Sequence, residues 1–138
     1  ELEITESAVM NDVERTITVL DELTALGLSL SIDDFGTGYS SLSYLKRFPV
    51  KRIKIDKAFI DEIEDLQSEG AIARAVIMMG HSLGMEITAE GVEEFFQLQY
   101  LSELGCDEIQ GYYFGKPMNA RDFEKFVKTK QLNHLAAE

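Results

Sequence analysis

Five short stretches of this chain alternate polar with apolar residues: 2–5, 28–34, 52–56, 86–90 and 108–112. Each carries a charged or amide side chain at or near its end, just ahead of a glycine, a turn or a helix signal. In a strand, residues two apart share a face. That places Glu3 with Thr5, Ser29 with Ser31 and Asp33, Arg52 with Lys54 and Asp56, Glu86 with Thr88 and Glu90, and Glu108 with Gln110 and Tyr112 on one polar face. Leu2, Ile4, Leu28, Leu30, Ile32, Ile53, Ile55, Ile87, Ala89 and Ile109 form the other. A sheet with one wet face is ordinarily antiparallel. Here helical stretches separate the strands, which demands parallel crossovers with helices laid over the apolar face. The polar face must then line an enclosed space.

The intervening segments carry helix periodicity. Val13, Ile17, Leu20 and Leu23 recur at helical spacing, with Gly27 as the stop. Residues 40–48 suit a short helix closed by Pro49, and 57–66 another. A longer helix is predicted over 68–83, with Ile72, Val76, Met79 and Leu83 on one face and Gly84 as its stop. Residues 93–104 close on Gly105. Asn119 can cap a last helix bearing Phe123, Phe126 and Val127, expected to fray from Thr129. There is no low-complexity linker, so residues 1–138 read as one domain or part of one.

A strand–helix rhythm fits either an open doubly wound sheet or an eightfold barrel. Strands of an open sheet are covered on both faces and read as near-continuous apolar runs, whereas a barrel tolerates a polar lumen where it houses a site. The expectation is α/β, a (β/α)8 TIM-type barrel. A full barrel takes about 250 residues, so the chain represents only the last five strand–helix units. Three further units are expected on the N-terminal side.

Composition excludes some partners. Hydrophobic content of 45% supports a buried core rather than disorder. The 25 acidic against 13 basic residues give a net charge of −12, which disfavours a nucleic-acid polymer or an anionic membrane surface. An anionic small substrate would need metal ions to approach. Cys106 is the only cysteine, so no disulfide framework exists, and no apolar run of about 20 residues could span a bilayer. A reducing, cytoplasmic setting is expected, with the parent protein free to be membrane-tethered. The chain starts at Glu1 without a methionine and is within its first strand by residue 2, so it is expected to be a piece of a longer protein.

In such barrels the functional groups sit at the C-terminal strand ends. There the chain places Glu3, Asp33, Asp34, Lys54, Asp56, Glu90 and Gln110. Converging carboxylates repel one another unless cations lie among them. All-oxygen donors with no clustered cysteine or histidine suit Mg²⁺ or Mn²⁺ rather than zinc. Asp33 and Asp34 are adjacent where the chain leaves the ladder, so their carboxylates can reach two ions, and a two-metal hydrolytic site for a phosphate ester follows. The plainer reading, that they only open a turn, is outweighed because four other strands end alike.

The run Asp33-Asp34-Phe35-Gly36-Thr37-Gly38-Tyr39-Ser40-Ser41-Leu42 is joined by Glu3-Ile4-Thr5-Glu6, Lys54-Ile55-Asp56, Glu90-Gly91-Val92-Glu93 and Gln110-Gly111-Tyr112-Tyr113-Phe114. Together, in unbroken order to about Val127, they resemble the C-terminal part of an EAL domain, the bacterial cyclic di-GMP phosphodiesterase family. The resemblance implies a distorted (β/α)8 barrel using two Mg²⁺ or Mn²⁺ ions to hydrolyse cyclic di-GMP to linear pGpG. It makes Glu3 and Asp33 metal ligands, Asp33 bridging the ions, with Asp34 and Glu90 serving the second. Lys54 would hold the attacking water or a ligand carboxylate, and Glu90 is the family's proposed general base. Bound metal would itself lower the pKa of the water, so a separate strong base is not obligatory.

Around these, Gly36, Thr37 and Gly38 shape the loop after the aspartates. The resemblance makes Glu6 an anchor for that loop and for a dimer interface; capping the following helix is an equal alternative. Asp56 and Glu93 match family motifs, with ion pairing to a neighbouring strand end as the alternative. Gln110 and Tyr112 point into the mouth by parity and are expected to contact substrate, and Lys116 and Pro117 either reach a phosphate or are plain loop chemistry. His81 and His134 lack partners at metal-binding spacing, Met78, Met79 and Met85 read as core filler, and Cys106 as a small buried residue.

The family's Glu-Ala-Leu motif, the arginine near it and the asparagine of the next strand are expected before Glu1. Without them, two metal ligands and a substrate contact are missing, and two sheet edges stand unpaired. The fragment alone is expected to be weak or inactive and to pair with the missing barrel part or as a homodimer. The parent is expected to carry regulatory domains. Three readings stay open: an active phosphodiesterase, a degenerate domain sensing cyclic di-GMP, and an interaction module binding no nucleotide.

Overall fold

The computed structural model describes residues 1–10, 12–36, 42–65 and 70–135. All five alternating stretches contain a strand: β1 (Leu2–Thr5), β2 (Leu30–Phe35), β3 (Arg52–Ile55), β4 (Glu86–Ala89) and β5 (Glu108–Ile109). They form one sheet in the order β1-β2-β3-β4-β5, and every neighbouring pair is parallel. Between and after them run α1 (Glu6–Met10), α2 (Val13–Ala25), α3 (Leu42–Leu45), α4 (Lys57–Asp61), α5 (Ala71–Ser82), α6 (Phe95–Glu103) and α7 (Ala120–Leu135). These are five strand–helix units of a TIM-type α/β barrel. No helix among the described residues is long and apolar enough to cross a membrane.

The apolar faces of the strands pack as parity requires. Leu30, Ile32, Ile53, Ile55 and Ile87 are all but fully buried, beneath Ala73 and Ile77 of α5 and Leu101 of α6. Each such side chain contributes about 1.5–3 kcal/mol by leaving water. Helix α5 lies so close to the sheet that a Cβ at Gly80 would run into the Ile87 side chain. The apolar residues of β1 fare differently: Leu2 is 41% exposed, because β1 pairs only with β2.

Several boundaries differ from expectation. Leu28 is still in the turn closing α2, where its N–H donates to Leu23 O, and β2 starts at Leu30. β2 also continues past Asp34 to Phe35. β5 stops at Ile109, because Gly111 to Phe114 form a turn in which the Phe114 N–H donates to Gly111 O. Helix α1 was not anticipated, since five residues beginning directly at the end of β1 carry no periodic signal. Helix α5 opens at Ala71, with Gly70 in a left-handed conformation before it, and α6 opens at Phe95 rather than Glu93. Helix α4 ends at Asp61, short of the expected residue 66, and α3 (Leu42–Leu45) ends short of the expected residue 48. Asn119 does cap α7, accepting from the Asp122 N–H at 3.0 Å, and the helix runs on to Leu135 past the expected fraying point. The His134 side chain and residues 37–41, Thr37 and Gly38 among them, lie outside what the structure describes.

Candidate active site

The polar face carries two charged layers, both centred on β3. Nearer the strand beginnings, Arg52 pairs with Glu1 (3.3 Å), Glu86 (2.7 Å) and Glu108 (2.9 Å). Two residues on, at the strand ends, Lys54 Nζ lies 2.7 Å from Glu3, 2.7 Å from Glu90 and 3.4 Å from Asp33. Burial lowers the pKa of a lysine that is only 7% exposed, but the bonds to Glu3 and Glu90 and the charges of Glu90 and Asp33 outweigh it. Its pKa is held well above the ordinary lysine value. Lys54 is therefore a fixed cation and donor, not a base.

Asp33 and Asp34 reach one side of the sheet by a device that alternation does not predict. Ile32 pairs with Ile53 and Phe35 with Ile55, so Asp33 and Asp34 together oppose the single residue Lys54. This is a β-bulge, and Asp34 adopts φ +53 within it. Asp and Asn tolerate the left-handed region better than other non-glycine residues. The Asp34 N–H also donates to Asp33 Oδ1 at 3.0 Å. Simple parity would have sent Asp34 to the apolar face; the bulge brings it back beside Asp33, Asp56 and Glu90. Lost hydration first, then the charge of Asp33, a hydrogen bond shared with Asp56 and the charges of Asp56 and Glu90 raise its pKa above the carboxylate norm. Asp56 also caps α4, accepting from the Ala58 N–H at 2.7 Å.

The neighbouring loops are stitched to these strand ends. Glu6, 1% exposed at the start of α1, accepts from the Gly36 N–H at 2.8 Å, holding the loop that follows the aspartates. Gly36 itself has φ +101, and a Cβ there would meet the Phe59 ring. Beyond β4, the Val92 N–H donates to Gln110 O (3.1 Å) and the Tyr113 N–H to Val92 O (3.0 Å), while a Cβ at Gly111 would collide with the Val92 backbone. Gln110 and Tyr112 are thus placed by a turn, not by strand parity. They line a cavity of about 320 Å³ with Glu90 and Glu93. Lys57, which sequence reasoning passed over, lines it too. Lys116 stacks 5.5 Å above the Tyr112 ring centroid.

Among the described residues, no three His, Cys, Asp or Glu side chains stand at metal-holding distances. The carboxylates gather on the Lys54 ammonium instead. Their chemistry nevertheless fits a hard divalent cation, because every candidate donor is a carboxylate oxygen and Asp33 and Asp34 stand side by side at the bulge. His81 and Cys106 take no part. His81 Nε2 lies 2.8 Å from Asp107, ahead of β5, and burial pushes the Cys106 thiol up to about 11.

The sequence pattern of the EAL domain matches residues 1–117. The chain is 47% identical over 128 residues to the cyclic di-GMP phosphodiesterase NbdA of Pseudomonas aeruginosa, covering 93% of this chain and 16% of NbdA. The solved complex of the PaMucR phosphodiesterase with c-di-GMP matches 88% of this chain and 49% of its own, at 46% identity and a TM-score of 0.83. The manganese and c-di-GMP complex of Klebsiella pneumoniae BlrP1 matches 83% of this chain and 29% of its own, at 36% identity and a TM-score of 0.74. The chain spans about a sixth of the length of the curated relatives it matches. The match covers far more than half of its residues, and the chain belongs to the EAL domain family.

Proposed function

We propose that residues 1–138 are the C-terminal portion of a single barrel domain that hydrolyses cyclic di-GMP to linear pGpG. The observation that carries this is the convergence of Glu3, Asp33 and Glu90 on Lys54, with Asp34 turned to the same side by the bulge. Its support is the 47% identity to a cyclic di-GMP phosphodiesterase. Glu3, Asp33, Asp34 and Glu90 would hold two divalent cations, Mg²⁺ or Mn²⁺, together with ligands from outside this chain. Such ions supply charge neutralisation at the phosphate and a water acidic enough to attack near neutral pH. Lys54 orients Glu3 and Glu90 through its 2.7 Å bonds, leaving the second Glu90 oxygen able to accept a proton. Gln110 and Tyr112 offer an amide and an aromatic face to the guanine end of the substrate. Glu6, with Gly36, Thr37 and Gly38, would set the loop beside Asp34, and Asp56 and Glu93 would hold their neighbours from a second layer. Alone, the chain would be weak or inactive; homodimer contacts, pairing with the rest of the barrel and regulatory domains would belong to the whole protein.

A second reading, a domain that binds the nucleotide without hydrolysing it, draws on the lack of a metal-holding carboxylate group among the described residues. Hydrolysis of cyclic di-GMP with Mn²⁺ by the complete domain, beside its Asp33→Asn variant, separates the two. Turnover that falls by about a hundredfold or more in the variant supports the enzyme. Binding without turnover in the unsubstituted protein supports the sensor.

A further inference from the structure

Lys57 opens α4, three residues after Lys54, and its ammonium is held from two sides. It lies 3.0 Å from Asp61 on its own helix and 2.9 Å from Glu93 across the mouth, and 3.4 Å from the Gly91 carbonyl. Its aliphatic stem occupies the space a Cβ at Gly91 would need, and Gly91 has φ +73, so this turn is shaped around the lysine. Behind the same segment, the buried Gln97 amide accepts from the Glu93 and Glu94 N–H groups at 2.9 and 3.1 Å and donates to Ile60 O at 3.1 Å. Residues 90–94 are therefore tied to α4 at both ends.

We propose that Lys57 is a positioning residue: it clamps the 90–93 turn to α4 and so fixes where the Glu90 carboxylate meets Lys54. Direct contact with the substrate is the competing role, since Lys57 lines the cavity with Glu90, Gln110 and Tyr112. Two carboxylates already on its ammonium leave that spot net negative, which is wrong for binding a phosphate. The inference deepens the proposed phosphodiesterase and rests on that reading for its kinetic arm.

The test uses the complete protein. Lys57→Met keeps the stem that packs on Gly91 and removes the charge, while Lys57→Arg keeps both. With Lys57→Met, kcat for cyclic di-GMP should fall about five- to tenfold with KM within about twofold, because a small misplacement of a reacting group is felt in turnover. Amide hydrogen exchange at residues 91–94 should quicken, and Lys57→Arg should restore both. A rise in KM at unchanged kcat would overturn the proposal by making Lys57 a binding residue. Unchanged exchange at 91–94 would overturn it whatever the turnover. Should the unsubstituted protein hydrolyse no cyclic di-GMP, the phosphodiesterase reading falls, and the exchange measurement still decides whether Lys57 clamps the turn.

Discussion

The two ends of the polar strand face are each built around one cation of β3, with the surrounding carboxylates packed differently. At the strand beginnings, Arg52 bridges Glu1, Glu86 and Glu108 on three different strands or their approaches, and Asp107 accepts from the Ile87 N–H at 2.8 Å while meeting His81 at the same distance. At the strand ends, Glu3, Asp33 and Glu90 share Lys54, and Asp34 lies against Asp33 and Asp56 and feels the charge of Glu90. The titration of the two ends follows suit. Burial would raise the Asp107 carboxyl, but His81 and the Ile87 amide together hold it below the usual range, whereas Asp34 is pushed above it. Both ends hold more carboxylates than cations, but only at the strand ends do two of them, Asp33 and Asp34, sit side by side with Asp34 shifted above its ordinary value.

The sharpest break between the ends should come from their central cations. In the complete domain, Lys54→Met is expected to lower cyclic di-GMP turnover by about a hundredfold, while Arg52→Met stays within about twofold, both read from initial rates. If Arg52→Met proved as damaging, the division between the two layers would be lost. Next in size is stability. Lys54→Met leaves Glu3, Asp33 and Glu90 crowded without their counter-charge and should cost about 2 kcal/mol in urea unfolding, less than a fully buried pair because the carboxylates keep some water.

Smaller, and opposite in pH dependence, are the two aspartates. Asp107→Asn should cost about 1 kcal/mol at pH 7, trimmed by a side chain 40% exposed. A depressed folded pKa means that this stabilisation is present above the unfolded value of about 3.9 and fades as pH falls through the folded one, so the variant and its parent should converge at low pH. Asp34→Asn should do the reverse in metal-free protein. A raised folded pKa means stability present below about 3.9 and lost as pH rises through the folded value, so removing the charge should raise Tm slightly at neutral pH, while weakening Mn²⁺ binding. Asn also accepts the left-handed backbone at that position. Smallest in structural consequence is Cys106. With its thiol pushed up to about 11, it should react with iodoacetamide at pH 8 far more slowly than a free thiol, as mass spectrometry would show.

Much of this was readable from alternation alone. Strand parity placed Lys54, Glu3, Asp33 and Glu90 on one face because each lies in or directly after a regular strand with buried neighbours such as Ile53 and Ile87. Parity failed where the backbone departs from the pleat. The Asp33-Asp34 bulge depends on a left-handed residue that is not glycine, and no pattern of apolar residues announces it. Gln110 and Tyr112 reach the mouth through a turn pinned by Val92, a contact between segments 18 residues apart in the chain as numbered. The Lys57–Glu93 pair likewise joins α4 to the turn after β4, and its only trace in sequence is one lysine at the start of a short helix. Long-range pairing of charged residues leaves no periodic mark; burial does.

The sheet's strand order has a bearing on how the chain acquires its shape. Because β1 to β5 are neighbours in the order in which they occur, each of β2 to β5 meets a partner already laid down one or two helices earlier. Every step of growth closes a loop of modest length, so the entropy lost per step stays small and nearly constant. No strand has to wait for a distant segment to be synthesised. A chain emerging N-terminus first can add each hydrophobic ridge to the last, and the charged mouth, whose members come from β1, β2, β3 and β4, would be completed only when Glu90 arrives.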